Sequence, residues 1–138
     1  MADYFTHFSC QLEVGAANIA PALALYAQMA RDLEADDGLS MGFAAEASFS
    51  APASLWLHDE DHGEPEYVIA FVLRCAEAFD LKGRWGFCWA LTCSRPRLDA
   101  FGGGAQLLDL GARKRLAWTD CSQWLAHQLA ARVPRGEG

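Results

Sequence analysis

The sequence predicts an α+β fold in which an antiparallel sheet carries its helices on one face. Apolar and polar residues alternate at 4–14 and 84–92, as they do in strands with one buried face. Apolar residues recur at helical spacing at 18–34 and 65–82. These two periodicities interleave along one chain, which is the pattern of an α+β domain.

The predicted elements follow the order β-α-β-β-α-β, and a β-β-α segment completes the chain. Asn18 is the expected N-cap of the first helix, Pro65 opens the second helix, and Gly83 ends it. Strands at 42–50 and 54–58 form a hairpin between these helices. The first six elements fit the ferredoxin-like pattern, whose two helices pack on one face of the sheet.

The C-terminal part adds a hairpin and one helix, which are expected to extend or cover the sheet. Its strands are predicted at 106–110 and 113–118. Thr119 or Asp120 caps the last helix. Four apolar residues are predicted on the inner side of this helix: Trp124, Leu125, Leu129 and Val133.

The chain length of 138 residues predicts one domain, which we place at 1–133 with a frayed tail at 134–138. No apolar run approaches the roughly 20 residues that cross a bilayer, and the N-terminus lacks the basic region of a secretory signal. We therefore expect a cytoplasmic protein without a membrane partner, either a monomer or a homodimer.

The charge is acidic and unevenly distributed. The formal net charge is −7, which disfavours a general nucleic-acid or anionic-membrane binder. Residues 1–66 hold twelve acidic residues and one basic residue, whereas residues 67–138 hold six acidic and ten basic residues. If the two halves stay apart in space, the protein has an acidic face and a smaller basic one.

Five cysteines are scattered through the chain, an odd number that does not suit a disulfide framework. We expect reduced thiols that pack as small apolar side chains.

The segment 85–105 is the most distinctive part of the sequence. An aromatic strand is followed by Cys-Ser-Arg-Pro-Arg and then by three consecutive glycines. The glycines match neither phosphate-binding nor dinucleotide-binding spacing, so a tight bend, a bulge or a close backbone approach is expected there. Asp99 is placed to pair with Arg95 and fix the loop. The predicted structural residues of the loop are Pro96, Gly102, Gly103 and Gly104.

The same segment leaves two chemical alternatives open. Cys93 beside two arginines resembles an activated nucleophile, but no histidine lies near it in the sequence to act as its base. Trp85, Phe87 and Trp89 at strand spacing resemble a stacking face for single-stranded nucleic acid. Such a stripe is more often the core beneath helices, and we expect core here.

The segment 58–64 is rich in acidic residues and contains two histidines. His58 and His62 have the spacing of a metal pair only if the segment is helical, and the following glycine and proline predict a loop. We therefore expect no metal and no cofactor. A solvated acidic turn is the prediction, and an acidic recognition patch is the alternative. The residues of that patch are Asp59, Glu60, Asp61 and Glu64.

The run from Trp89 to Ala105, together with a Trp118-Thr119 and Trp124-Leu125 ending, resembles a group of small uncharacterised proteins. These are found on plasmids, integrative elements and phages of proteobacteria. The resemblance implies a mobile-element setting, and it implies no activity and no catalytic residues. Small acidic proteins in that setting often act as inhibitors of host proteins, including anti-CRISPR and other counter-defence proteins.

These observations together predict a non-enzymatic protein-interaction module. Its partner is expected to be a host nucleic-acid-handling or defence complex whose basic groove suits the acidic half of the chain. Single-stranded nucleic-acid binding and a small enzyme with a Cys93 nucleophile remain the alternatives. The residues expected to bind the partner are Arg84, Arg95, Arg97, Asp99 and Phe101.

Overall fold

The computed structural model describes residues 2–98 and 100–131 of the chain. It contains three α-helices and two antiparallel sheets within those residues. The helices are α1 (Ile19–Asp37), α2 (Pro65–Phe79) and α3 (Cys121–Ala130). The strands are β1 (Tyr4–His7), β2 (Ser9–Glu13), β3 (Phe43–Ala47), β4 (Ser54–Asp59), β5 (Arg84–Cys93), β6 (Gly102–Asp109) and β7 (Lys114–Asp120).

The α+β prediction is confirmed, and the ferredoxin-like strand order is not. One sheet has the order β1-β5-β6-β7, and the other has the order β2-β4-β3. The predicted single strand at 4–14 divides at Phe8, because the Phe8 N–H donates to the Asp59 carboxylate at 2.9 Å instead of joining a strand ladder. The Phe8 ring turns inward and meets Phe43 and Phe87.

The core lies between the two sheets and the helices α1 and α2. Tyr26 of α1 packs edge-on against Phe43 of β3 and Phe71 of α2, so its ring joins three elements. Its hydroxyl donates to the Phe43 carbonyl. The largest fully buried side chains in this core are Phe43, Phe71, Leu12, Leu55, Leu57, Ile69 and Leu108.

The helix boundaries follow from local capping. Pro65 occupies the first turn of α2 as predicted, and the Glu64 side chain accepts a hydrogen bond from the Glu66 N–H. Asn18 is the N-cap residue of α1 as predicted, but its side chain makes no capping hydrogen bond, and its Nδ2 donates to the Val14 carbonyl at 2.9 Å. Helix α2 ends at Phe79, where Asp80 adopts a left-handed conformation with φ 51°.

The inward orientation predicted for the last helix is wrong. Asp120 caps α3 as expected, its carboxylate accepting from the Gln123 N–H at 2.8 Å. However, Trp124, Leu125 and Leu129 are exposed, and Val133 lies outside the described residues, as does the predicted tail at 134–138. The reason is topological: α3 packs on β6 and on the edge strand β7, and within the described residues it makes no comparable contact with α1 or α2.

None of the helices in the described ranges combines the length and apolar character that crossing a membrane requires.

Candidate protein-interaction surface

The loop between β5 and β6 is held at both ends and presents its side chains to solvent. The Asp3 N–H donates to Ser94 Oγ, and the Ser94 N–H donates to the Asp3 carbonyl, both at 2.8 Å. At the other end Ala100 is buried. Between these anchors, the Arg97 N–H donates to the Arg95 carbonyl at 2.8 Å, which forms a tight turn around Pro96.

Four side chains project from this region, and we call them the loop surface: Arg95, Arg97, Leu98 and Phe101. The side chain of Leu98 is 95% exposed and adds an apolar group to the loop beside Arg95 and Arg97. Asp99 lies outside the described residues, so the predicted pair with Arg95 stays a prediction. Arg84 begins β5, nine residues before Cys93 and therefore roughly 30 Å away along the strand. It does not join the loop surface.

The three glycines belong to strand β6 and not to the loop, which differs from the prediction. A Cβ on Gly104 would lie 2.5 Å from the Trp89 indole and 2.6 Å from the Thr119 carbonyl oxygen. A Cβ on Gly102 would lie 3.1 Å from Ser122 Oγ of α3. The glycines therefore permit close packing of β6 against β5, β7 and α3.

The aromatic stripe of β5 faces the core. Phe87 is 5% exposed, and Trp85 and Trp89 are partly buried against the same cluster. The ring centroid of Phe87 lies 5.5 Å from that of Trp85 and 5.4 Å from that of Trp89. Trp85 Nε1 donates a hydrogen bond to the Gln11 carbonyl at 2.7 Å. A base would have to displace these contacts to stack, so this stripe is not a free platform for nucleic acid.

Cys93 has no histidine base among the neighbouring strand residues. It stands opposite Tyr4 in the β1–β5 register, and His7 lies three residues further along β1. Because side chains alternate between the faces of a strand, His7 projects to the opposite face of the sheet from Cys93. The geometry gives no support to a Cys93–His7 nucleophile pair.

The acidic segment is divided among structural roles. Asp59 accepts hydrogen bonds from His7 Nδ1 at 2.9 Å, from the Phe8 N–H at 2.9 Å and from the Asp61 N–H at 3.0 Å. Partial burial by itself would raise the pKa of Asp59, but these bonds outweigh burial and lower it. Glu64 caps α2, whereas Glu60 and Asp61 are exposed. Only Asp59 of the four is partly buried, so an acidic recognition patch stays a prediction.

His58 and His62, whose spacing would suit a metal pair only in a helix, have different partners. His58 contacts Glu46 at 2.6 Å and stacks on Trp56, while His62 stacks on Phe5. Within the described ranges, the residues whose ligand atoms cluster are His7, Asp59 and Asp61, all within 4.8 Å of one another. Since both Asp59 oxygens already accept hydrogen bonds that hold the β1–β2 junction, the cluster is explained by the fold.

A second surface was missed by the sequence analysis. We call it the β7–α3 surface, and its members are Leu116, Trp118, Trp124, Leu125 and Leu129. Their exposed fractions are 37%, 58%, 59%, 51% and 77%. Trp118, Trp124 and His127 also line an open groove between the strand and the helix. The signal that was available is the composition: residues 116–131 contain a single charged side chain, Asp120.

Comparison with protein-family models, with curated proteins and with solved structures gave no match.

The reactivity of the five cysteines tests whether Cys93 is an activated nucleophile. Burial raises the pKa of Cys10 and of Cys75 to about 12. Cys88 and Cys121 are exposed, so the prediction that the thiols pack inside the protein is wrong for these two cysteines. We expect iodoacetamide near neutral pH to modify Cys88 and Cys121 first and Cys10 and Cys75 last, because the thiolate is the reacting species. Mass spectrometry of the labelled peptides measures the order. Modification of Cys93 ahead of both exposed thiols would revive the nucleophile alternative.

Proposed function

We propose that this chain is a non-enzymatic protein-interaction module that binds a partner protein through the loop surface. The observation that carries the proposal is the anchored loop itself, which holds Arg95, Arg97 and Leu98 in solvent between the Ser94 and Ala100 anchors. Anchoring lowers the conformational entropy lost when a partner binds. Solvent-facing side chains on such a backbone are free to serve recognition.

The chemistry of the loop surface indicates what the partner offers. Arginine and aromatic residues dominate the energetics of protein interfaces, and here Arg95 and Arg97 precede apolar Leu98, with Phe101 three residues further on. The loop is basic within a chain of net charge −7. A complementary partner surface has carboxylates for the guanidinium groups and an apolar pocket for Leu98 beside them.

The resemblance to proteins of mobile elements supports a host defence or nucleic-acid-handling complex as the partner, with inhibition as the outcome. In this proposal the loop surface contacts an acidic part of the complex. The residues 1–66 hold twelve of the acidic residues, and this acidic half suits a basic groove of the same complex.

The proposal is tested by affinity capture from a host lysate with a triple variant of the loop: Arg95→Ala, Arg97→Ala and Leu98→Ala. We expect the captured protein to be lost or its affinity to fall at least tenfold, because interface anchors contribute about 2 kcal/mol or more each. The three side chains are exposed, so the melting temperature should not change.

Arg84→Ala is the matched control, since it removes an exposed arginine from the far end of β5. Equal capture by the triple variant and the wild type would overturn the loop assignment. Loss of capture with Arg84→Ala alone would move the binding surface to the other end of the sheet.

We also propose that the two sheets together represent a ferredoxin-like arrangement with a bent first strand. Only Phe8 separates β1 from β2, and β2 and β3 both run antiparallel to β4, which places β4 between two parallel strands. Taking β1 and β2 as one strand, the order β3-β4-β2/β1-β5 is that of the split β-α-β pattern. Strands β6 and β7 and helix α3 then extend the sheet beyond the part that α1 and α2 cover.

A further inference from the structure

A cavity of about 460 Å³ lies where the end of β2 has diverged from the start of β5. Strand β1 pairs with β5 as far as the His7–Ala90 pair, and beyond Phe8 the chain continues as β2 and pairs with β4 instead. The indole of Trp85 spans part of the gap, since its Nε1 donates to the Gln11 carbonyl at 2.7 Å. Small-molecule sites usually have volumes of about 300–1,000 Å³, so the cavity has the size of a binding site.

Both strands turn a backbone edge toward this cavity. The Gln11 carbonyl faces β5, and because successive residues of a strand alternate between its two edges, the N–H and C=O of Glu13 face the same way. On β5, the Gly83 carbonyl accepts from the Leu110 N–H on the β6 side, so the N–H and C=O of Arg84 face β2. Among the described residues, β4 is the only strand that pairs with β2. The cavity therefore separates backbone donors and acceptors that a continuous sheet would pair.

The side chains at the two edges carry opposite charges. Glu13 and Arg84 are exposed and line the cavity, and neither takes part in an ion pair among the described residues. The other charged residues of the lining, Asp80 and Lys82, pair with each other at 3.3 Å. The cavity thus offers one carboxylate and one guanidinium whose charges sum to zero.

Apolar side chains complete the lining. Leu12, Val14 and Leu110 are buried in the core and line the cavity from that side. Leu81 and Trp85 are only half-buried, so they present apolar surface to a ligand. A ligand that fits therefore has an apolar body beside its charged groups.

The wall that the α2–β5 turn forms is held in place by Arg113. Its Nη1 donates to the Leu81 carbonyl at 3.1 Å and to the Leu110 carbonyl at 2.7 Å, and its Nη2 donates to Asp80 Oδ1 at 2.8 Å. The Leu110 N–H in turn donates to the Gly83 carbonyl at 2.8 Å. A wall that is already ordered lowers the conformational entropy lost on binding.

We propose that this cavity binds a small zwitterion built like a free α-amino acid with an apolar side chain. The ligand carboxylate contacts the Arg84 guanidinium, the ammonium contacts the Glu13 carboxylate, and the apolar side chain packs on Leu81 and Trp85. A zwitterion fits better than a simple anion or cation, because Glu13 repels a lone carboxylate and Arg84 repels a lone ammonium. The inference goes beyond the proposed function and is independent of it, because the loop surface lies at the other end of β5.

The experiment is an NMR titration that follows the indole N–H signal of Trp85 with L-leucine and two analogues. Leucine amide lacks the carboxylate, and N-acetylleucine lacks the ammonium and resembles the C-terminal residue of a peptide. We expect L-leucine to bind with a dissociation constant of about 1 mM or lower. Each analogue should bind at least tenfold more weakly, because each leaves one charge of the cavity without its partner.

Two variants assign the two ends of the ligand. Arg84→Ala should weaken L-leucine at least tenfold without weakening leucine amide, which has no carboxylate to lose its contact. Glu13→Gln should weaken L-leucine to a similar extent without weakening N-acetylleucine, which has no ammonium. Arg31→Ala is the matched control, because Arg31 is an exposed arginine on α1 outside the cavity, and it should leave the affinity for L-leucine unchanged. Circular dichroism checks that the three variants fold.

Three results would overturn the proposal. The first is no shift of the Trp85 signal at ten times the expected dissociation constant of L-leucine. The second is equal binding of N-acetylleucine and L-leucine, which would assign the cavity to the carboxylate of a peptide C-terminus. The third is an equal loss of affinity in Arg84→Ala and Arg31→Ala, which would show that the effect does not come from the cavity.

Discussion

Gly104→Ala is expected to destabilise the protein by about 3 kcal/mol, the upper end of the cost of forcing an extra carbon into a packed interior. The added Cβ would lie 2.5 Å from the Trp89 indole and 2.6 Å from the Thr119 carbonyl oxygen, so it meets both neighbouring strands at once. Neither can yield easily, because Trp89 packs against the core and the Thr119 oxygen belongs to the backbone of β7. Urea denaturation monitored by tryptophan fluorescence measures the change.

Gly111→Ala is the control for this prediction. Its nearest neighbour would lie 3.5 Å from the added Cβ, an ordinary contact, and the residue sits in the turn between β6 and β7. We expect a change within about 0.5 kcal/mol for this variant. Equal stability of the two variants would show that β6 lies further from its neighbours than the structure has it.

Asp59→Asn is the second change with a large expected effect, a loss of about 2 kcal/mol at neutral pH. The carboxylate accepts hydrogen bonds from His7, from the Phe8 N–H and from the Asp61 N–H, and its side chain is only 16% exposed. An amide cannot accept all three bonds, and a part-buried donor left without an acceptor costs about 1–3 kcal/mol. The variant should therefore loosen the junction between β1 and β2.

The stability lost in Asp59→Asn should depend on pH in a defined direction. The folded-state pKa of Asp59 is lowered, so its contribution is fully present above the unfolded-state pKa of about 3.9 and is lost as the pH falls through the lower folded value. The stability difference between wild type and Asp59→Asn should be largest near pH 7 and should shrink below about pH 4. Glu60→Gln, which changes an exposed neighbour, should show no comparable difference at either pH. If the stability difference between wild type and Asp59→Asn stays constant from pH 7 to below about pH 4, the Asp59 carboxylate is not its source.

The periodicity of the chain predicted the elements well where one face meets the core. Alternation in β5 indicated that Phe87 faces inward, and helical spacing in α2 indicated a buried stripe at Val68, Val72 and Cys75. Pro65 marked the start of that helix. These signals are local, because burial of one face imposes a fixed repeat on a strand or helix.

The same periodicity misled at the C-terminus, where it indicated an inward face for α3. An apolar stripe predicts that one face of a helix is buried, but it does not show whether the burying surface belongs to the same chain. The β7–α3 surface has the composition of a core and the exposure of an interface. Only the strand order, which places β7 at the edge, separates the two possibilities.

The candidate loop was predicted in part. The anchored Cys-Ser-Arg-Pro-Arg segment was recognised from its residue types, whereas the assignment of Arg84 to the same site failed because β5 carries it to the other end of the sheet. The residue types predict the three glycines as part of the loop, whereas Gly102–Gly104 form the start of β6. A run of glycines indicates that another part of the protein packs closely against this backbone, but it does not indicate which part.

The sequence by itself determined the α+β class, most of the elements and the uneven charge, since each depends on local repeats or on composition, and it favoured an inward face for the aromatic strand without deciding it. The tertiary structure alone decided the division of the first strand at Phe8, the separation of Cys93 from His7 and the exposure of Trp118 and Trp124. The physical reason is that these features depend on which strands are neighbours. Strand neighbours are set by contacts between residues far apart in the chain, as when Asp59 reaches back to Phe8, and no local pattern encodes such a contact.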